Sequence, residues 1–280
     1  MSTTRNRMLL SAPLFFSLAC LAVLTAGCGG GVRNELAMVP GTCLFHVHME
    51  RGMSPLLLDE IMSLDRNLVV AESLLTLGPV GVTLMGVDIT SLSPQFLFLS
   101  REISPQNAAS MVSGMLDLTG AEGEDKTDLS DDSGLVRASV SARNGWTAIY
   151  IGPAANVTMD AWLRMDEMGS LAADEALLQA LPASHHATLM LPGNLFTFVS
   201  LLPVERYVPW WDDYTAVARV VRPSALTLSL SWPSTGPILL EARVSREDGA
   251  MTSMELTLTD TAVTPDSAFV LLSGLAGSLL

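Results

Sequence analysis

The pair Asn144-Gly145 constrains this chain more than any other feature. It stands between two apolar-rich runs, about Leu135 to Ala142 and Trp146 to Ile151. Asn and Gly accept the left-handed backbone that a two-residue hairpin turn requires, so the runs are read as neighbouring antiparallel strands. Three more strands close the chain: Ala225 to Trp232, Ile238 to Ser245 and Met251 to Thr259, the last two joined through Glu247-Asp248-Gly249. Alternation also marks Thr42 to Met49 (TCLFHVHM), bounded by Pro40-Gly41 and Arg51-Gly52. Gln95 to Arg101 reads as a strand in the same way.

Helices fall between these strands in clusters. Ser54 with Pro55 is an N-cap and first-turn pair that opens a helix through Leu64, and a second stretch runs from Asn67 to Leu77. Ser104-Pro105 opens another, which reaches about Leu118. Further helices are expected over Ala154 to Met168, Ala172 to Leu181, Asn194 to Leu202 and Pro209 to Val221, with a short one from Pro265. The acidic stretch 121–134 reads as a solvated loop or hairpin tip. Leu181-Pro182-Ala183-Ser184 leads into HHATLML much as Val39-Pro40-Gly41-Thr42 leads into CLFHVHM, at an offset of 142 residues. Such self-similarity is the mark of a duplicated unit. The expectation is an α+β protein of two related units, 38–169 and 170–280, each a mostly antiparallel sheet with helices packed on one face.

The order of these motifs resembles the DUF3352 family of uncharacterised bacterial proteins. A Pro-led strand with a His precedes an "SPLL" helix, and "GSLAADEALLQALP" runs into a strand that repeats the first. Gly169, Ser170, Leu171, Asp174, Ala180, Leu181 and Pro182 carry the match. The resemblance implies a fold of this kind and brings no catalytic residues with it.

The N-terminus sets the compartment. Arg5 and Arg7 precede an apolar stretch from Met8 to Gly27, with no acidic residue before Glu35, which is the layout of a secretory signal. Leu24-Thr25-Ala26-Gly27-Cys28 resembles the lipobox of bacterial lipoprotein precursors. That resemblance implies removal of 1–27, lipidation of Cys28, and a flexible tether over 28–37 beginning Gly29-Gly30-Gly31. It also implies an extracytoplasmic site, at the outer membrane where the source has two, since Gly rather than Asp follows the cysteine. Two alternatives stay open: an uncleaved anchor of about 20 residues, and ordinary cleavage that leaves Cys28 a plain thiol. Cys20 is a weaker competing site, because cleavage there would shorten the apolar stretch.

Losing Arg5 and Arg7 takes the formal charge from -14 to -16, and Lys126 is the only lysine. A nucleic-acid partner is therefore disfavoured, and so is docking on anionic headgroups through a basic face. The lipid is the expected link to the membrane. With Cys20 removed and Cys28 lipidated, Cys43 stands alone and no internal disulfide can form. Stability then rests on apolar burial.

Few constellations carry chemistry. His46 and His48 sit two apart in a strand and so share a face, a geometry that can chelate a metal. Alternation turns Cys43 away from them and splits His185 from His186. Imidazoles with satisfied hydrogen bonds are the preferred reading over a metal site. Glu122, Glu124, Asp125, Asp128, Asp131 and Asp132 match no calcium-loop spacing. No G-x-S-x-G elbow or phosphate-binding Gly loop occurs, and Ser184 beside His185 is not a triad. Asp212-Asp213 and Asp59-Glu60 read as exposed helix faces. Tyr207, Trp210, Trp211 and Tyr214 share one helical face, read as core packing or, if partly exposed, as an interaction surface. No cofactor is implied. The expected role is a lipid-anchored, non-catalytic interaction or structural component of the cell envelope, with an envelope protein as partner. The alternative is a binding module for an apolar or amphipathic ligand held between the units.

Overall fold

Antiparallel pairing runs without a break across this molecule. The computed structural model describes residues 32–50, 79–88, 93–182, 186–193, 195, 223–231 and 238–258. Eleven strands form one sheet. They are β1 (Phe45–Met49), β2 (Val80–Asp88), β3 (Ser93–Ser100), β4 (Thr119–Glu122), β5 (Lys126–Ser130) and β6 (Val136–Arg143). Then come β7 (Trp146–Ile151), β8 (Ala187–Pro192), β9 (Pro223–Ser231), β10 (Ile238–Arg246) and β11 (Met251–Leu258). Their order across the sheet is β11-β10-β9-β8-β1-β2-β3-β7-β6-β5-β4. The helices among the described residues are α1 (Val32–Leu36), α2 (Pro105–Leu116), α3 (Ala155–Arg164) and α4 (Glu175–Ala180), with 3-10 turns at Glu167–Gly169 and Leu171–Ala173.

This architecture corrects the expected α+β arrangement of two units with helices on one face. The two strands thought to head separate sheets, β1 and β8, lie side by side in the middle of a single one. Val47 stands opposite Leu189, at the 142-residue offset of the sequence repeat. Backbone hydrogen bonds along that join make the two halves one sheet. Helices also cover both faces. Leu97 and Leu99 of β3, with Ala148 and Tyr150 of β7, pack under α3 residues Ala155, Met159 and Trp162. Phe98 and Ile149 point the other way and pack under α2 residues Ala108, Ala109 and Val112. A strand that is apolar on both sides needs cover on both.

Local chemistry explains the turns. Asn144 and Gly145 both take positive φ (52° and 77°), as the β6–β7 hairpin requires. Ser104 caps α2 by accepting from the Asn107 N–H at 3.3 Å, with Pro105 in the first turn. The helix expected over 154–168 ends at Arg164, and α4 starts afresh where Asp174 Oδ1 accepts from the Leu177 N–H at 3.0 Å. The acidic stretch 121–134 holds parts of β4 and β5 at a sheet edge, rather than only a loop. Charges on an edge strand discourage pairing with another chain. Lys126 Nζ ties that edge to α3, 2.7 Å from Asp160 Oδ1 and 2.9 Å from the Asn156 carbonyl. Strand β2, with Gly81 and Gly86, was not expected from the sequence. The expected helices over 54–64, 67–77, 194–202 and 209–221, and the one from Pro265, lie outside the described residues. No described helix is long and apolar enough to cross a membrane.

Leu99 is fully buried between β2 and β7, under the helices of one face. Leu99→Ala should cost about 3 kcal/mol through lost burial and the cavity left behind. Urea unfolding should show this as a lower midpoint at unchanged slope. A loss below about 1 kcal/mol would contradict the packing described.

Candidate functional site

The site begins with the alternation of β1. His46 and His48 point to one face, and on β2 their opposite numbers are Thr83 and Gly81. Onto this face folds α1. Leu36, Met38 and Val39 are buried in the core cluster that also holds Leu97 and Leu99. The backbone after α1 is fastened in three places. Leu171 N–H donates to the Val39 carbonyl and Gly41 N–H to the Gly169 carbonyl, both at 2.8 Å. The Trp162 indole Nε1–H donates to the Met38 carbonyl at 2.7 Å.

These contacts deliver Glu35 to the middle of the sheet face. Glu35, His46 and His48 are all 0% exposed. Glu35 Oε1 lies 2.8 Å from His46 Nε2, and Oε2 lies 2.6 Å from His48 Nδ1. The far nitrogens are also engaged: His46 Nδ1 with Thr83 Oγ1 at 2.8 Å, and His48 Nε2 with Glu50 Oε2 at 3.1 Å. An ionised carboxylate only accepts, so both rings donate to Glu35. His48 faces a carboxylate from each nitrogen, which makes it an imidazolium that donates twice. Gly81 makes room for all this. A Cβ there would come within 2.2 Å of Glu35 Oε1 and 2.9 Å of His46 Cε1.

Electrostatics follow the geometry. Burial by itself would raise the Glu35 pKa. The charge of His48 and the hydrogen bonds from His46 and His48 outweigh it and bring the group from 4.5 to about 2. Burial presses His48 downward, but the charge and hydrogen bond of Glu35, followed by those of Glu50, leave its pKa raised above 6.5. The cluster is closed and internally satisfied. The carboxylate sits between the two rings, each of which addresses a different oxygen. Among the described residues, no group of three or more His, Cys, Asp or Glu side chains is placed to hold a metal ion.

The structure brings His46 and His48 together on one face, as their spacing requires. Cys43 does not turn away as alternation predicts. It lies in the turn before β1, buried in the cluster with Leu36, Met38 and Val39, where burial pushes its thiol pKa up. At the foot of β8, the His186 carbonyl accepts from the Glu50 N–H at 3.3 Å. Cys28, His185, Tyr207, Trp210, Trp211 and Tyr214 lie outside the described residues. Glu35 and Glu50 were not singled out from the sequence. Glu50 was legible as the third term of His46-x-His48-x-Glu50. Glu35 had a fainter signal, an isolated acid directly before the apolar Leu36-Ala37-Met38-Val39. In the acidic stretch, Asp131 accepts from Ser133 N–H, Leu135 N–H and Arg137 Nε, while Asp128 accepts from Ser139. These carboxylates serve their own hairpins. No protein family, curated protein or solved structure matches the chain.

Two pH limits follow. Glu35 contributes stability above about pH 4.5 that is withdrawn as pH falls toward 2. His48, with its raised pKa, contributes stability below pH 6.5 that is lost as pH rises through its higher folded value. Glu35→Gln should cost about 3 kcal/mol near neutral pH, because it leaves a buried imidazolium short of its counter-charge. The difference between wild-type and variant urea midpoints should shrink at both extremes. A difference that stays constant from pH 3 to 9 would refute the coupling.

Proposed function

We propose that this chain is a lipid-anchored extracytoplasmic protein that acts as a non-catalytic interaction or structural component of the cell envelope. The observation that carries the reading is Leu24-Thr25-Ala26-Gly27-Cys28 at the exit of the apolar stretch from Met8 to Gly27. Acylation of Cys28 contributes about 0.8 kcal/mol per buried methylene, so two or three chains hold a protein without help from its surface. The surface has little help to offer, with a formal charge of -14 and one lysine, which is engaged by Asp160. The outer membrane is the proposed site where the source has two membranes. The likeness to DUF3352 belongs to the same proposal, and it carries no catalytic residues.

What supports a non-catalytic role is the character of the buried ionisable cluster around Glu35. His46, His48 and Glu35 spend their nitrogens and oxygens on each other, on Thr83 and on Glu50. Such an arrangement holds a segment in place. An envelope protein is the proposed partner. A ligand between two units has no comparable support, since β1 and β8 are hydrogen-bonded neighbours where the halves meet.

Cys28→Ala, expressed in a bacterial host, should move the protein from the membrane fraction to the soluble extracytoplasmic fraction. The wild-type mature N-terminal peptide should begin at Cys28 and carry the mass of its acyl chains. Membrane association that persists in Cys28→Ala would point to an uncleaved anchor. A wild-type protein that is soluble and unacylated would point to ordinary cleavage.

A further inference from the structure

The segment that follows the proposed anchor is clipped to the centre of the sheet by one carboxylate. Helix α1 has five residues, too few to persist as a helix without tertiary support. Its hold on the body consists of Leu36 in the core cluster and Glu35 between His46 and His48. Val32 and Ala37 pack against the same cluster, and the next fastening is Met38, buried there with its carbonyl accepting from the Trp162 indole; the bonds from Leu171 to the Val39 carbonyl and from Gly41 to Gly169 follow. Residues before Met38 can therefore swing from a hinge fixed at Met38 once Glu35 lets go and Leu36 leaves the cluster. The glycine at 81 marks the seat as built for this carboxylate, because any side chain there would occupy the position of Oε1.

We infer that α1 is a pH-gated latch, closed by the Glu35 carboxylate on His46 and His48 and released when that carboxylate takes up a proton. Protonation turns one of two acceptor oxygens into a donor aimed at a ring N–H. It also leaves the His48 imidazolium beside a neutral group. The charged and titratable groups that meet the seat are His46 and His48 on β1, with Glu50, just past the end of β1, behind His48. From β2 the seat is faced by Gly81 and Thr83, and neither titrates. The proton that opens the latch is thus the one on Glu35.

The consequence rests on the proposed anchor at Cys28. Seven residue steps separate Cys28 from Glu35, and a chain of that length reaches at most about 25 Å. Release as far as Met38 lengthens the arm to ten steps, or at most about 36 Å. The latch then sets how far the body stands from the membrane and whether the His46–His48 face is covered.

Hydrogen exchange on the full-length protein in detergent, corrected for intrinsic rates, tests the latch. Peptides over 32–38 should open up to about tenfold more for each pH unit below 4.5. Peptides over β3 and β7 should stay protected. Glu35→Gln should expose 32–38 at pH 7 and flatten its pH dependence. Gly81→Ala should expose it at pH 7 with the carboxylate retained. The latch is overturned if 32–38 stays protected down to pH 2.5, or opens only together with β3 and β7. It is equally overturned if both variants lose β3 and β7 protection at pH 7, which would make Glu35 a staple of the whole fold. The anchor is read separately. If the latch opens as expected while Cys28→Ala protein stays in the membrane, the stand-off consequence fails and the latch stands.

Discussion

Glu35 carries a negative charge to a place that water does not reach. Two imidazoles, at 2.8 and 2.6 Å, make that placement tolerable. The desolvation cost of a lone buried carboxylate runs to several kcal/mol, so neither partner could keep its position without the other. Much of the central fold is arranged around this contact. His46 and His48 occupy one face of β1, β2 supplies a hydroxyl and a missing side chain, and Glu50 completes the second nitrogen of His48. Charged hydrogen bonds of this kind are stronger and more directional than neutral ones. They fix one position for α1 where apolar packing of Leu36 alone would allow several.

The cluster also sits where the two halves of the chain meet. β1 pairs with β2 on one side and with β8 on the other. Anything that fixes β1 therefore fixes the join between the early and late strands. Away from that join the sheet relies on ordinary apolar burial, with α3 and α4 on one face and α2 on the other. Next to its β4 edge, β5 carries the single lysine, which pairs with Asp160 of α3.

The hairpin at Asn144-Gly145, the capped start of α2 at Ser104-Pro105 and the closing strands were legible because each depends on neighbours in sequence. Strand β2 was not, since Gly81 and Gly86 weaken its strand signal and its value lies in what it leaves open for Glu35. The single sheet was misread for a related reason. Likeness between the β1 and β8 segments says that the two strands are similar, not whether each heads its own sheet or pairs with the other. Helices on both faces were missed because Phe98 and Ile149 look like any other apolar residues until a helix is found above them.

Half of the candidate site was written in the sequence. His46 and His48 share a face because side chains in a strand repeat every two residues, and no tertiary contact is needed to know it. The sequence alone also determined the acidity, the single lysine and the placement of Cys28 behind an apolar stretch, which underlie the proposed anchor. Only the tertiary structure decided what the two histidines are for. Glu35 lies eleven residues before His46, in a stretch that reads as a tether, and nothing local draws it to the sheet. Its place is set by the burial of Leu36 and by the bonds from the 3-10 turns and Trp162, all made by residues far along the chain. Local chemistry could supply the imidazoles. Long-range packing had to bring the carboxylate between them.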